Sequence, residues 1–202
     1  MPSRKSPPRA RKQGILFVLS GPSGSGKTTL AKAMLRVPRL KRFLVRSISF
    51  TTRPRRRGER NAKDYFFVSD REFRRKRAQQ KILEWTRYLG YYYGTARDFV
   101  DGNLRQAKSL ILCLDIRGAR RVKKLYPASS VTVFIMPPSV AELFQRLTRR
   151  ARETRSEEIR RRLRIARSEM RAAQGFDYRL VNQDLRKAIR ELKAIFYSSL
   201  QS

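Results

Sequence analysis

Gly21-Pro22-Ser23-Gly24-Ser25-Gly26-Lys27-Thr28 fits G-x-x-x-x-G-K-[ST], a spacing whose chemistry is phosphate binding. Glycines let the backbone curl until successive N–H groups point into one hollow. A helix beginning where the loop ends adds its partial positive charge, so a triphosphate meets donors already in place. Lys27 then reaches the β and γ phosphates, and the Thr28 hydroxyl is a ligand for Mg²⁺. With Thr29, the stretch forms the candidate segment for ATP. A glycine-rich turn that merely joins two elements is the plainer alternative, and the flanks argue against it. Ile15 to Leu19 is an apolar, β-branched run that reads as a buried strand, and Thr29 to Leu35 reads as a helix, the setting the motif requires.

What the composition lacks narrows the chemistry further. The 202 residues contain no histidine and one cysteine, Cys113, so the usual general base is missing and neither an internal disulfide nor a cysteine-built zinc site can form. Catalysis therefore has to rest on lysines, arginines, carboxylates and a metal ion. Cys113 falls within the apolar run Leu110 to Leu114 and reads as an inert buried thiol in a reducing, cytoplasmic setting. No apolar run approaches the ~20 residues of a membrane span, which predicts a soluble protein. The charge is unusual, with 49 Lys and Arg against 16 Asp and Glu for a net +33. That excess is consistent with contact to nucleic acid or another polyanion, or with arginine spread over solvated helix faces; it is distributed along the chain and forms no single cluster.

The chain is long enough for one well-cored domain with insertions. Residues 1–13 are basic and proline-rich without an acid and read as a flexible tail. Phe43 to Phe50 alternates as a strand. Asp64 to Val68 is a second candidate, Asp70 caps a charged helix to about Gln80, and Ile82 to Tyr88 returns as a strand. These short, hairpin-like elements mark residues 49–105 as a small inserted domain within a core formed by 14–48 and 106–202. The core pattern continues with a strand at Leu110 to Asp115, a helix from Gly118 to Leu125 and a strand at Val131 to Ile135. Ser139 opens a helix with Glu142 at the capping-box position. Nine arginines lie between Arg149 and Arg167, while Ile159, Leu163, Ala166, Met170 and Ala173 repeat at helical spacing, which predicts a helix packed on one side and cationic on the other. Tyr178 to Val181 is a last strand and Asp184 to Leu200 a closing helix. Alternating strands and helices predict an α/β fold, a mainly parallel sheet covered on both faces, with ligands at the carboxyl ends of the strands.

With these blocks in hand the sequence resembles the guanylate kinases, P-loop nucleoside monophosphate kinases, from about Gly14 to Phe196. The resemblance rests on the phosphate loop together with Ser47-Ile48-Ser49-Phe50-Thr51-Thr52-Arg53, Gly58-Glu59, Lys63-Asp64-Tyr65, Glu84-Trp85, Tyr92-Tyr93-Gly94-Thr95, Leu114-Asp115-Ile116-Arg117-Gly118, Pro137-Pro138-Ser139 and Val181-Asn182. It implies transfer of the γ-phosphoryl group of ATP to GMP with Mg²⁺. It also implies a GMP-binding domain at 49–105 and a lid at about 148–165. Guanine presents two adjacent donors and an acceptor, so its selection needs carboxylates and hydroxyls. By resemblance these are Glu84, Asp115, Ser49 and Thr95, with Gly94 beside them. Glu84 could instead be an exposed strand residue paired with an arginine, and Asp115 a Mg²⁺-facing acid. The phosphate of GMP falls by the same resemblance to Arg53, Arg56, Tyr65 and Tyr93, Asn182 joins the ATP side, and Arg150 and Arg162 approach the moving phosphoryl group.

The chain departs from the family pattern in three places. Pro54 follows Arg53 directly, which leaves the second clamp arginine open between Arg55 and Arg56, with Arg56 favoured by spacing. The lid segment reads Arg149-Arg150-Ala151 without the family's glycines, which could slow closure and leaves exchange with Arg149, Arg152, Arg160 or Arg161 open. Cys113 stands where relatives usually carry an acid, which predicts weaker Mg²⁺ binding. Other functions compatible with the sequence are a kinase for another small phosphate such as a phosphorylated sugar, and a non-catalytic or polyanion-binding module.

Overall fold

A computed structural model of the chain describes residues 14–150 and 156–201, and the side chains at 149, 150, 156–159, 161, 162 and 201 lie outside that description. The tail 1–13 and much of the expected lid fall outside the described residues. The elements run β1 (Leu16–Ser20), α1 (Lys27–Arg36), β2 (Leu44–Arg46), β3 (Ser49–Thr51), β4 (Phe66–Phe67), α2 (Asp70–Ala78), β5 (Ile82–Tyr88), β6 (Tyr91–Ala96), α3 (Arg97–Arg105), β7 (Ser109–Cys113), α4 (Ile116–Leu125), β8 (Ser130–Met136), α5 (Val140–Arg150), α6 (Ser156–Arg171), a 3₁₀ turn (Ala172–Gly175), β9 (Tyr178–Val181) and α7 (Leu185–Gln201).

Five strands form a parallel sheet in the order β2-β7-β1-β8-β9. Its central strand is buried along its whole length, so the run Leu16-Phe17-Val18-Leu19 is apolar on both faces. Phe17 and Leu19 face Leu30, Met34, Leu192 and Phe196 of α1 and α7, whereas Leu16 and Val18 face Val100 and Leu104 of α3 and Val122 of α4. A helix on each face is what a parallel crossover demands, and it places the carboxyl ends of β1, β2 and β7 on one edge. A second sheet, β4-β3-β6-β5, mixes parallel and antiparallel pairs. The α/β class and mainly parallel sheet therefore stand as the sequence implied.

Three local readings are corrected. Phe43 to Phe50 is not one strand: Ser47 donates a last hydrogen bond to Ile111 O at 3.0 Å, and the chain then leaves the core sheet so that Ser49–Thr51 can pair with β6. Continuous alternation hides such a change of sheet. The cap of α2 is Ser69, whose Oγ accepts from Glu72 N at 3.1 Å, with Asp70 already inside the first turn. Between Tyr88 and Leu110, where no element was assigned, the chain forms β6 and α3.

Phe196 fixes α7 to the sheet, edge-on to Phe17 with ring centroids 5.1 Å apart and stacked with Phe43 at 6.2 Å. Phe196→Ala should lower the unfolding free energy by about 3–5 kcal/mol, read from urea denaturation, because the lost side chain leaves a cavity in a closely packed face.

Candidate active site

The phosphate loop is shaped from behind. Gly26 caps α1 in the left-handed region at φ 98°, with no side chain closing the helix end, so the first-turn N–H groups face outward. A Cβ at Gly26 would lie 2.2 Å from Asn182 Nδ2, which donates to Ser25 O at 2.8 Å. Arg146 Nη2 in turn donates to Asn182 O at 3.0 Å. Asn182 thus sits buried beneath the loop and holds its curvature. Lys27 Nζ folds back over the loop and donates to Gly21 O at 2.6 Å and Pro22 O at 2.9 Å. Ser25 is buried, while Ser23, Gly24, Thr28 and Thr29 face a cleft of about 1360 Å³.

The opposite wall of that cleft comes from the second sheet. Ser49 and Thr95 are cross-strand partners, as are Thr51 and Tyr93, so pairing sets the hydroxyls of β3 and β6 in register. Glu84 on β5 is only 5% exposed, and Thr95 Oγ1 donates to its Oε1 at 2.6 Å. It is held by a hydroxyl, not by an arginine. Asp115 caps α4, its Oδ1 accepting from Gly118 N at 2.8 Å. Burial pushes the Glu84 carboxyl up to about 7, and the neighbouring Asp115 charge pushes the same way against the Thr95 bonds. Gly94 also lines the cleft, and a Cβ there would come within 2.7 Å of Ile82 Cγ2.

Between the walls lie the cations. Arg53 is 7% exposed, donates through Nη2 to Glu59 at 2.7 Å, and lies 5.5 Å from the Tyr65 ring centroid. Tyr65 and Tyr93 meet edge-on at 5.9 Å. Arg55 and Arg56 are both exposed on the cleft rim, and the Arg56 N–H donates to Glu59 Oε2 at 2.9 Å. Burial raises the Glu59 carboxyl, but the bonds from Arg53 and Arg56 outweigh it and hold it below its ordinary value.

A phosphate loop thus faces buried Glu84 and half-buried Asp115 across one cleft, and comparison with known proteins supplies the family. The guanylate kinase family model matches residues 13–199. A guanylate kinase of Caldanaerobacter subterraneus is 40% identical over 185 residues, covering 92% of this chain and 87% of the relative. One from Symbiobacterium thermophilum is 42% identical over 183 residues, covering 91% and 84%. The crystal structure of guanylate kinase from Anaplasma phagocytophilum superposes with a TM-score of 0.79 at 30% identity, covering 96% of this chain and 89% of that one. The chain belongs to the guanylate kinase family. It is accordingly an enzyme, a nucleoside monophosphate kinase, as the resemblance of its motifs implied.

Several cleft residues of this guanylate kinase family member escaped the sequence reading. Glu169 of α6 lines the cleft; burial raises its carboxyl to about 7, Asp115 adds to the shift and Lys27 opposes it. Its signal was an acid at the edge of the apolar stripe Leu163, Ala166 and Met170 in an otherwise cationic helix. Arg46 and Lys32 both pair with Asp64, at 3.9 and 3.7 Å, linking β2 and α1 to the turn that leads into β4. Cys113, by contrast, is singled out by the sequence; read there as a buried thiol, it is half-buried and lines the cleft, and burial pushes its thiol up despite Lys27 and Arg46. The side chains of Arg150 and Arg162 lie outside the described residues. Among the described residues no helix is long and apolar enough to cross a membrane.

The Glu84 shift has a stability consequence whose sign is fixed. With a folded value of about 7 above the ordinary 4.5, the folded state holds the extra proton between those limits, so stability falls as pH rises from 4.5 to 7 and levels off above. Thermal melting across that range should show the fall. Glu84→Gln should make it visibly shallower, leaving the part that comes from Glu169.

Proposed function

We propose that the chain transfers the γ-phosphoryl group of ATP to GMP (and dGMP), giving ADP and GDP. The observation that carries this is the pair formed by buried Glu84 and half-buried Asp115, which opens on the same cleft as the phosphate loop. Carboxylates accept from guanine N1–H and its amino group, and the Ser49 and Thr95 hydroxyls lie alongside. Adenine would set an unprotonated N1 against a carboxylate and leave buried groups unpaired, a mismatch worth on the order of 10⁴ in kcat/KM.

The acceptor is already an anionic phosphate oxygen, so no strong base is required. One bond forms between that oxygen and the γ phosphorus as the bond to the β-bridging oxygen breaks, and ADP leaves with the electron pair. Lys27 moves from the loop carbonyls onto the triphosphate, with Gly21, Pro22, Ser23, Gly24, Ser25, Gly26 and Thr29 supplying the cradle. Arg53, Arg56, Tyr65 and Tyr93 fix the GMP phosphate, and Arg150 and Arg162, by family position, neutralise charge as the cleft closes. The Thr28 hydroxyl is a single hard oxygen beside the phosphate positions, which suits Mg²⁺ carried in by ATP with most of its shell from phosphate and water. Bound there, the ion would draw charge from the β and γ oxygens.

A coupled assay for ADP release across GMP, dGMP, AMP, UMP and a sugar phosphate tests the reading, with turnover expected for the two guanine nucleotides. Activity confined to the sugar phosphate, or no ATP binding at all, would overturn it. Lys27→Ala should keep the fold and lose roughly 10²–10³ or more in kcat, the scale seen when one transition-state donor is removed. Cys113→Asp should lower the Mg²⁺ concentration needed for half-maximal ATP binding, followed by nucleotide fluorescence, because a neutral thiol supplies no charge to the ion's water shell.

A further inference from the structure

Glu84 and Asp115 reach the cleft from different elements, and one residue lies against both. Gly118 is in the first turn of α4, where its N–H donates to Asp115 Oδ1 at 2.8 Å. A Cβ built on Gly118 would stand 2.5 Å from Glu84 Oε2, 3.1 Å from Glu84 Cδ and 3.3 Å from Asp115 Oδ1. Carbon and oxygen do not approach to the first of these distances, so any side chain at this position must move something.

Helix geometry gives no reason for glycine here. Within α4 alanine would be favoured over glycine, by at most about 1 kcal/mol in this first turn. The residue therefore lowers helix stability in exchange for room. The group that would yield is the Glu84 carboxylate, because it ends a side chain while the helix backbone is fixed. Yet that carboxylate is buried, and Thr95 Oγ1 grips its other oxygen at 2.6 Å. Displacing it breaks the hydroxyl tether and turns the acceptor away from its neighbour Asp115.

Guanine's N1–H and amino group are adjacent donors on one edge, so their acceptors have to stand side by side. We propose that Gly118 is a specificity-determining position: the missing side chain admits the Glu84 carboxylate against the first turn of α4, beside Asp115, and so assembles the base-reading pair. This rests on the GMP reading above.

Gly118→Ala in the full chain tests it, with GMP affinity measured by calorimetry, the KM for ATP by assay and stability by thermal melting. GMP binding should weaken by about tenfold or more, as expected when a buried hydrogen-bonded acceptor is misplaced. The preference for GMP over AMP should fall with it. The KM for ATP should stay within about twofold, and the melting temperature should change by only a few degrees, because the helix propensity gained offsets part of the buried hydroxyl–carboxylate bond lost. Unchanged GMP affinity would overturn the proposal, as would parallel losses for ATP and GMP with a lower melting temperature. A double-mutant cycle checks the route: in Glu84→Ala the methyl meets no carboxylate, so Gly118→Ala should add little, and full additivity would refute the steric argument. Failure of the unmodified chain to phosphorylate GMP would instead overturn the functional reading, an outcome separate from any effect of Gly118→Ala.

Discussion

Like charges must be brought together in the reaction proposed for this chain, and that repulsion is the constraint to which the cleft answers. A triphosphate and a monophosphate have to lie end to end with water excluded, and the cost grows as the dielectric falls. The fold meets it from both sides. Parallel strands end at one edge, where α1 begins at Lys27 with no side-chain cap, while the second sheet and its flanking loops bring Arg53, Tyr65 and Tyr93 to face it. Arg53, itself buried, is held in place by Glu59, which accepts from one of its nitrogens, and by the nearby ring of Tyr65.

The acids of the cleft are subject to the opposite pressure. Glu84 is buried beside another carboxylate, and Glu169 is half-buried with Asp115 near it and only Lys27 opposing, so each is driven toward its protonated form. A ligand that supplies donors to Glu84 restores its charge at the moment of binding. In the proposed reaction selectivity and desolvation are thus the same event: a base with N–H groups on the right edge offsets the cost of the buried acid.

Much of this was legible in the chain. The phosphate loop carries its mechanism in fixed residue types, and β5 and β9 begin and end where the alternation of Ile82 to Tyr88 and Tyr178 to Val181 does. Glu84, Ser49, Thr95 and Asp115 came from family resemblance, since nothing in their spacing brings four separate segments to one pocket. What stayed hidden was set by tertiary contact. The switch of sheet at Ser47 leaves no mark in hydropathy, because both halves of Phe43 to Phe50 alternate. Glu169 looks like one more charge on a charged helix until α6 is seen to border the cleft. Asn182 was read as lying on the ATP side, and its amide reaches the underside of the loop, a bond no local pattern announces.

That last contact spans 157 positions of sequence, from the closing strand back to the first turn of the nucleotide cradle. During synthesis the glycine-rich segment emerges well over a hundred residues ahead of the prop beneath it. Partial products that stop short of β9 therefore carry the motif without this support. Such a long-range closure is slow to form, and it ties the binding function to completion of the sheet.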